Sequence, residues 1–444
     1  MTVASAVPSK LTHARVLAVT LPIILANITT PLVGAVDIGV IGQLGDAALL
    51  GGVAVGAEIA QLLFWSFSFL KMGTGGLTAQ AKGAGDTREI AANLERALLV
   101  AVTVGLMMIA LQAPLGAAGL WLMGGSPEVT KAAHVYYTWR VWAAPFVFIN
   151  YALLGWFIGL AETGRALAIQ LLLNAVNIAA SILLVLSWRW GIAGAGAAAL
   201  IAEIAASVAG LLLANVEITK RGGRAERADV LAAGPLRRLL SVNRDIMIRT
   251  VCLMLAFATV AALGARNGDL ALAANGILLN LFSIAANVVD GFANTAETFV
   301  GHAVGARRRD QMLEAVWMTS LWAGVIAALA SVVMWLFGGL AIDAMTTSPA
   351  VREATRAFLP WCALTPVAGF AAFQLDGIYI GATRGRDMRN LMIVSLATFL
   401  AAAAVLVPFL GNHGVWAALL IFFAARGISY AYRFPALMRD VFGP

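Results

Sequence analysis

Apolar runs of membrane-spanning length, separated by short polar stretches, set the pattern along this chain. They fall at about 16–42, 47–72, 92–113, 134–160, 166–187, 192–215, 246–265, 271–300, 312–338, 357–382, 390–410 and 413–432. A helix rises about 1.5 Å per residue, so about 20 apolar residues cross the hydrocarbon of a bilayer. The pattern predicts an all-α polytopic membrane protein with twelve transmembrane helices. The longest polar stretch, Glu217 to Arg244, divides them six and six. The expected organisation is an N-terminal six-helix lobe over 1–215, a cytoplasmic inter-lobe linker over 216–245 and a C-terminal six-helix lobe over 246–444, with a central cleft between the lobes.

Polar residues inside these runs point to chemistry. The first run, Val16 to Leu44, is interrupted by Pro22, Pro31 and Asp37. An ionised Asp at the centre of a membrane helix costs about 2.5–3.5 kcal/mol, so Asp37 is expected to face inward, toward a polar cavity or a proton. The two prolines remove backbone donors and let the helix bend. The alternative is that Asp37 hydrogen-bonds a neighbouring helix and the prolines serve packing. In the fifth run, Asn174, Asn177 and Ser181 follow an i, i+3, i+7 spacing and form one polar stripe. With Asn150 in the fourth run, they either line a cavity or act as interhelical glue. Asp290, Asp376 and Arg249 are expected at one depth, as a charge network or as a second coupling site. Glu58 and Arg426 also fall inside runs, without an assigned role. Phe64, Trp65, Phe282 and Phe292 either stack on cationic compounds or pack.

Composition agrees with the pattern: 61% of residues are hydrophobic and 12% charged, against about 25% charged in soluble domains. The net charge of +7 does not indicate nucleic acid, because Lys and Arg cluster between the apolar runs. Lys82, Arg88, Arg165, the 216–245 segment, Arg307 to Arg309, Arg384, Arg386, Arg389, Arg433 and Arg439 fall on one side. The opposite loops hold Lys131, Arg140, Arg189, Arg266, Arg352 and Arg356. The positive-inside rule then places both termini in the cytoplasm of a bacterial inner-membrane protein. No cleavable signal is expected, since residues 1–14 are polar and the run that follows is too long. Cys252 and Cys362 sit in separate runs, so neither a disulfide framework nor a metal site is expected.

The two halves repeat. LTAQAKGAG at Leu77–Gly85 recurs as FVGHAVGAR at Phe299–Arg307, and Gly155-Trp-Phe-Ile-Gly159 recurs as Gly377-Ile-Tyr-Ile-Gly381, both offset by about 222 residues. Two bundles related by a pseudo-two-fold repeat are implied, with a site at or beside their interface.

The stretches PLVGAVDIGVIGQLG (Pro31–Gly45), FLKMGTGGLTAQAKGAGD (Phe69–Asp86), NYALLGWFIG (Asn150–Gly159), NRDIMIRTVCLMLAFA (Asn243–Ala258), DGFANTAETFVGHAVGAR (Asp290–Arg307) and DGIYIGATRGRDMRN (Asp376–Asn390) together resemble the multidrug and toxic compound extrusion family, and most closely its DNA-damage-inducible branch. The resemblance implies efflux of drugs and other, often cationic or amphipathic, compounds by alternating access, driven by inward H⁺ or Na⁺. It implies that Asp37 is the coupling acid, that Pro22 is the point about which the first helix bends, and that Asn177 is a polar partner. Where the family usually has an acid four residues beyond that Asn, this chain has Ser181. One acid fewer weakens a Na⁺ site, since hard cations are held by several oxygens, and suits a proton. Asp376 resembles an acid of cation-coupled relatives, but those relatives carry a further acid on span seven that this chain lacks.

The expected function is therefore H⁺-coupled multidrug efflux by a monomer in the lipid bilayer. No catalytic residue, cofactor, metal or nucleic-acid partner is expected. The alternatives are Na⁺ coupling and a lipid or lipid-linked saccharide flippase of the same superfamily, whose cavity would be more basic. Gly83-Ala84-Gly85-Asp86 reads as the GxGD of an intramembrane aspartyl protease, but that chemistry needs two facing carboxylates, and Asp86 sits between Lys82 and Arg88 with no Tyr-Asp partner in the chain. The absence of a GxxxxGK[ST] loop points to secondary rather than ATP-driven transport.

Overall fold

The structure, a computed structural model, describes residues 10–29, 32–222 and 225–443. Pro31 lies outside them. The described residues form helices and no strand: α1 His13–Thr29, α2 Leu32–Gly42, α3 Ala47–Trp65, α4 Phe69–Gly83, α5 Thr87–Ala110, α6 Gln112–Met123, α7 Pro127–Trp142, α8 Ala144–Gly159, α9 Thr163–Ser181, α10 Gly191–Lys220, α11 Arg227–Val230, α12 Ala233–Arg266, α13 Asp269–Gly305, α14 Arg309–Met345, α15 Pro349–Gly381, α16 Gly385–Leu410 and α17 Asn412–Phe442. Among these residues eleven helical stretches are long and apolar enough to cross a membrane, or twelve when α7 and α8, bent by 51°, count as one span. The twelve predicted spans are α1 with α2, α3 with α4, α5, α7 with α8, α9, α10, and α12 to α17.

Two elements differ from expectation. The segment read as a linker is largely helical, since α10 runs to Lys220, α11 follows and α12 starts at Ala233. Its charges hid an amphipathic pattern: Leu239, Val242 and Ile246 follow an i, i+3, i+7 spacing and are buried. The buried Arg96 of α5 ties α11 down, donating to the carbonyls of Asp229 (2.6 Å) and Val230 (3.2 Å) while Glu89 accepts from its Nη1 at 2.8 Å. The second difference is α6, a helix between the third and fourth spans.

By packing, the chain falls into two compact units, one of residues from Leu25 to Leu239 and one of residues up to Ile24 together with those from Leu240 onward. The division inside α1 falls within one turn of Pro22, which the helix accommodates in its interior. The half of α1 before the division packs on α13, where Thr20 Oγ1 meets Thr295 Oγ1 at 2.8 Å. The C-terminal unit is built around an aromatic core that includes Phe282, Phe399, Trp416, Phe422 and Phe423.

The sequence repeats have a structural cause. A Cβ on Gly155 or Gly159 would overlap the carbonyls of Lys71 and Gly75 on α4, and one on Gly377 or Gly381 would overlap those of Ala293 and Glu297 on α13. Only glycine lets these backbones approach so closely. The helix ends repeat as well. After α4, α8, α13 and α15 the chain turns through a left-handed residue: Gly85 (φ 72°), Ala161 (56°), Arg307 (55°) and Thr383 (54°). At each end the next backbone N–H returns to the last turn, from Asp86 to Ala81 O, Glu162 to Phe157 O, Arg308 to Ala303 O and Arg384 to Tyr379 O, all at 2.8–3.0 Å.

Candidate functional site

Asp37 lies in the middle of α2 and is fully buried. The Tyr136 hydroxyl on α7 donates to its Oδ2 at 2.7 Å, and the Ser181 hydroxyl at the end of α9 donates to Oδ1 at 3.2 Å. Asn177, one turn before Ser181, is also fully buried, and neither atom of its amide has a hydrogen-bond partner among the described residues. A π turn, Ile182–Ser187, follows Ser181 directly; such turns recur at functional sites. One turn beyond Asp37, Ile41 packs among Val53, Ala132, Tyr136, Val185, Ile192 and Ala195. The acid is thus enclosed, held by neutral hydroxyls and capped by an apolar cluster. Ser181 stands where the resemblance implies an acid, and its hydroxyl contacts the Asp37 carboxylate itself.

The other two amides serve different purposes. Asn174 donates to Thr29 O at 3.1 Å and so ties α9 to the end of α1. Asn150 on α8 donates to Glu203 Oε2 at 2.7 Å and to Glu203 O at 3.1 Å, while Ser207 Oγ donates back to Asn150 Oδ1 at 3.1 Å. Glu203 escaped the sequence reading, although a lone carboxylate inside an alanine-rich span is the same signal that singled out Asp37. Arg140, read as a loop residue, lies inside α7, half-buried, one turn after Tyr136. Glu58 is exposed on α3.

In the C-terminal unit Asp376 on α15 is buried between two arginines. Arg249 on α12 and Arg426 on α17 both donate to its Oδ2, and the Tyr430 hydroxyl donates to Oδ1 at 2.6 Å. Arg426 and Tyr430 are four residues apart and share a face of α17. The Arg426 guanidinium also lies over the rings of Phe373 (5.7 Å) and Phe422 (5.6 Å). Asp290, expected in the same network, instead accepts from Asn294 Nδ2 at 2.8 Å. Phe64, Phe282 and Phe292 are buried packing residues, whereas Trp65 is 38% exposed.

A MatE family model matches residues 22–183 and again 246–407, once in each half. The chain is similar to DNA damage-inducible protein F of Escherichia coli K12, with 39% identity over 412 residues, 93% of this chain and 89% of that protein. It is also similar to a probable multidrug resistance protein NorM of Caulobacter vibrioides, with 27% identity over 336 residues, 74% of this chain and 70% of that protein. Among solved structures, a MOP superfamily transporter from Pyrococcus furiosus superposes with a TM-score of 0.86 at 18% identity over 96% of both chains. A Vibrio cholerae MATE transporter in a bent form gives 0.83 at 17% identity over 96% of this chain and 97% of its own. The class so defined is an all-α membrane transporter of twelve spans, built from two six-helix repeats. The chain belongs to the MatE family of multidrug efflux transporters. Its members are transporters, not enzymes, and need no cofactor.

Proposed function

We propose that this protein exports organic cations and other amphipathic compounds from the bacterial cytoplasm in exchange for protons, and that Asp37 carries the proton. The observation that supports this most is the contrast between the two buried acids. Asp37 accepts from two hydroxyls and forms no ion pair among the described residues, so taking up or losing a proton breaks no salt bridge. Asp376 is bonded to two arginines, and its protonation would leave buried cations unpaired, at a cost of about 3–5 kcal/mol. A nearby organic cation favours the ionised carboxylate and burial favours the neutral one, so cation and proton compete. Protonation from outside then releases the drug, and deprotonation toward the cytoplasm restores affinity. The relatives named for multidrug resistance support the export reading. One carboxylate with Ser181 and Asn177 is a sparse oxygen set for Na⁺, which favours H⁺ as the coupling ion.

In this reading Pro22 is the bending point of the first helix, Asn177 and Ser181 line the Asp37 site, and the Asp290, Asp376 and Arg249 region braces the C-terminal half. The lobes are the halves 1–215 and 246–444. The transporter acts as a monomer in the inner membrane with both termini cytoplasmic. Ethidium accumulation in everted vesicles, with pH and Na⁺ gradients imposed separately, tests the function. Uptake driven by the pH gradient alone is expected. Uptake that needs Na⁺, or that is abolished by competing phospholipid headgroups, would favour the Na⁺-coupled or the flippase alternative.

A further inference from the structure

Asp245 and the arginines around it have no part in the account so far. Asp245 on α12 is buried, and guanidinium groups from two helices converge on its Oδ1. Arg244 donates through Nη2 at 3.0 Å, and Arg389 on α16 donates through Nη1 at 2.8 Å. The helices are closely apposed here, since a Cβ on Gly385 at the start of α16 would stand 3.1 Å from the Asp245 Cβ. One carboxylate thus balances only one of two arginines. The Arg244 side chain remains 55% exposed, and Arg386, in the first turn of α16, is exposed and forms no ion pair among the described residues. The acids Asp387 and Asp440 are already paired with Arg433, at 3.5 and 3.7 Å.

Further along both helices the same faces become apolar. On α12, Arg244, Val251 and Leu255 follow an i, i+7, i+11 spacing, and on α16, Arg386, Ile393 and Val394 follow an i, i+7, i+8 spacing. All six are exposed. The opposite faces, with Cys252 and Ala256 of α12 and Met392 and Phe399 of α16, enter one core. Exposed apolar residues in a membrane span meet acyl chains. Val251 and Ile393 each lie seven residues, about 10 Å, from the arginine on their own stripe, so two lipid-facing stripes end at two arginines, at the polar edge of the bilayer.

We propose that Arg244 and Arg386, braced by Asp245 and Arg389, bind the phosphodiester of an anionic phospholipid whose chains lie along α12 and α16. A guanidinium fork matches phosphate oxygens, and basic pockets between membrane helices take anionic headgroups. Asp245 neutralises one arginine and fixes the position of two, leaving one positive charge on the triad and a second on Arg386. A phosphatidylglycerol headgroup, with one negative charge and no cation, complements that excess. The ammonium of phosphatidylcholine does not. The lipid bridges the starts of α12 and α16, and this role is independent of the one proposed for Asp37.

Native mass spectrometry of the delipidated full-length protein, with phosphatidylglycerol and phosphatidylcholine added in equal amounts, tests the site. Wild-type protein should retain phosphatidylglycerol in preference to phosphatidylcholine. Arg386→Gln should weaken phosphatidylglycerol binding about fivefold, and Arg244→Gln with Arg386→Gln about thirtyfold. Arg389 still neutralises Asp245 in the double variant, and Arg386→Gln, which breaks no ion pair among the described residues, decides alone if the double variant does not fold. Arg309→Gln, an exposed arginine at the start of α14, should bind phosphatidylglycerol as wild type does. Millimolar inorganic phosphate should not displace the lipid, because it lacks the chains. Equal retention of the two lipids, unchanged binding in the Arg386→Gln and double variants, an equal loss in Arg309→Gln, or displacement by inorganic phosphate would each overturn the proposal.

Discussion

Neutralising Asp376 should destabilise the protein far more than removing its whole network. Asp376 is 4% exposed, Arg249 5% and Arg426 fully buried, so solvent screens none of the three. Asp376→Asn preserves shape and the Tyr430 contact but leaves two guanidinium groups without their shared carboxylate. Orphaning one buried partner costs about 3–5 kcal/mol, and with two partners orphaned the loss should reach the upper end. That is a large fraction of the about 5–15 kcal/mol that holds a typical domain folded. Arg249→Met should cost less, about 1–3 kcal/mol, because Arg426 still neutralises Asp376. The triple replacement Asp376→Leu, Arg249→Met and Arg426→Met leaves no buried charge. Its main cost is the orphaned Tyr430 hydroxyl, about 1–3 kcal/mol. Equilibrium unfolding in mixed micelles, followed by tryptophan fluorescence, gives these differences directly. A triple variant whose loss equals the sum of the single losses, or an Asp376→Asn protein as stable as wild type, would refute the charge-balance reasoning.

Other outcomes follow from the same geometry. Tyr136→Phe removes the 2.7 Å hydrogen bond to Asp37, worth about 1.5–3 kcal/mol when the acceptor is charged; export should fall about tenfold or more, with folding retained, and unchanged transport would detach Tyr136 from the site. Gly377→Ala forces a methyl against the Ala293 carbonyl and should cost about 1–3 kcal/mol or prevent assembly, whereas Ala at Gly276, which has open space, should be tolerated. Cysteines placed at Arg308 and Arg386 should react with impermeant reagents only from the cytoplasmic face; labelling of either from outside would overturn the orientation.

The spans were legible because a bilayer demands about 20 apolar residues in every crossing. The exceptions are instructive. Ala233 to Asp245 was read as a linker because Arg237, Arg238 and Arg244 outweigh the buried stripe of Leu239, Val242 and Ile246 in a linear reading. Asp37 and Ser181 were legible as intramembrane polar residues, but Tyr136, which bonds Asp37 across a separation of 99 residues, carries no local signal. Arg426 gave no role until α17 set it beside Asp376, and Asp290 proved to bond Asn294 one turn along its own helix. Arg140 was lost by counting it with the loops, and Glu203 by reading its span as wholly apolar.

Proteoliposomes holding ethidium and a pH indicator test the role of Asp37 most directly, since cation and proton fluxes are then read together. One proton exchanged for one monovalent cation moves no net charge, and a pH unit supplies about 1.4 kcal/mol. Wild-type protein should therefore build about a tenfold ethidium gradient per pH unit, insensitive to membrane potential, with matching proton counterflow. Asp37→Asn should reconstitute and still show neither flux. Coupled fluxes in Asp37→Asn at the wild-type rate would contradict Asp37 as the proton carrier.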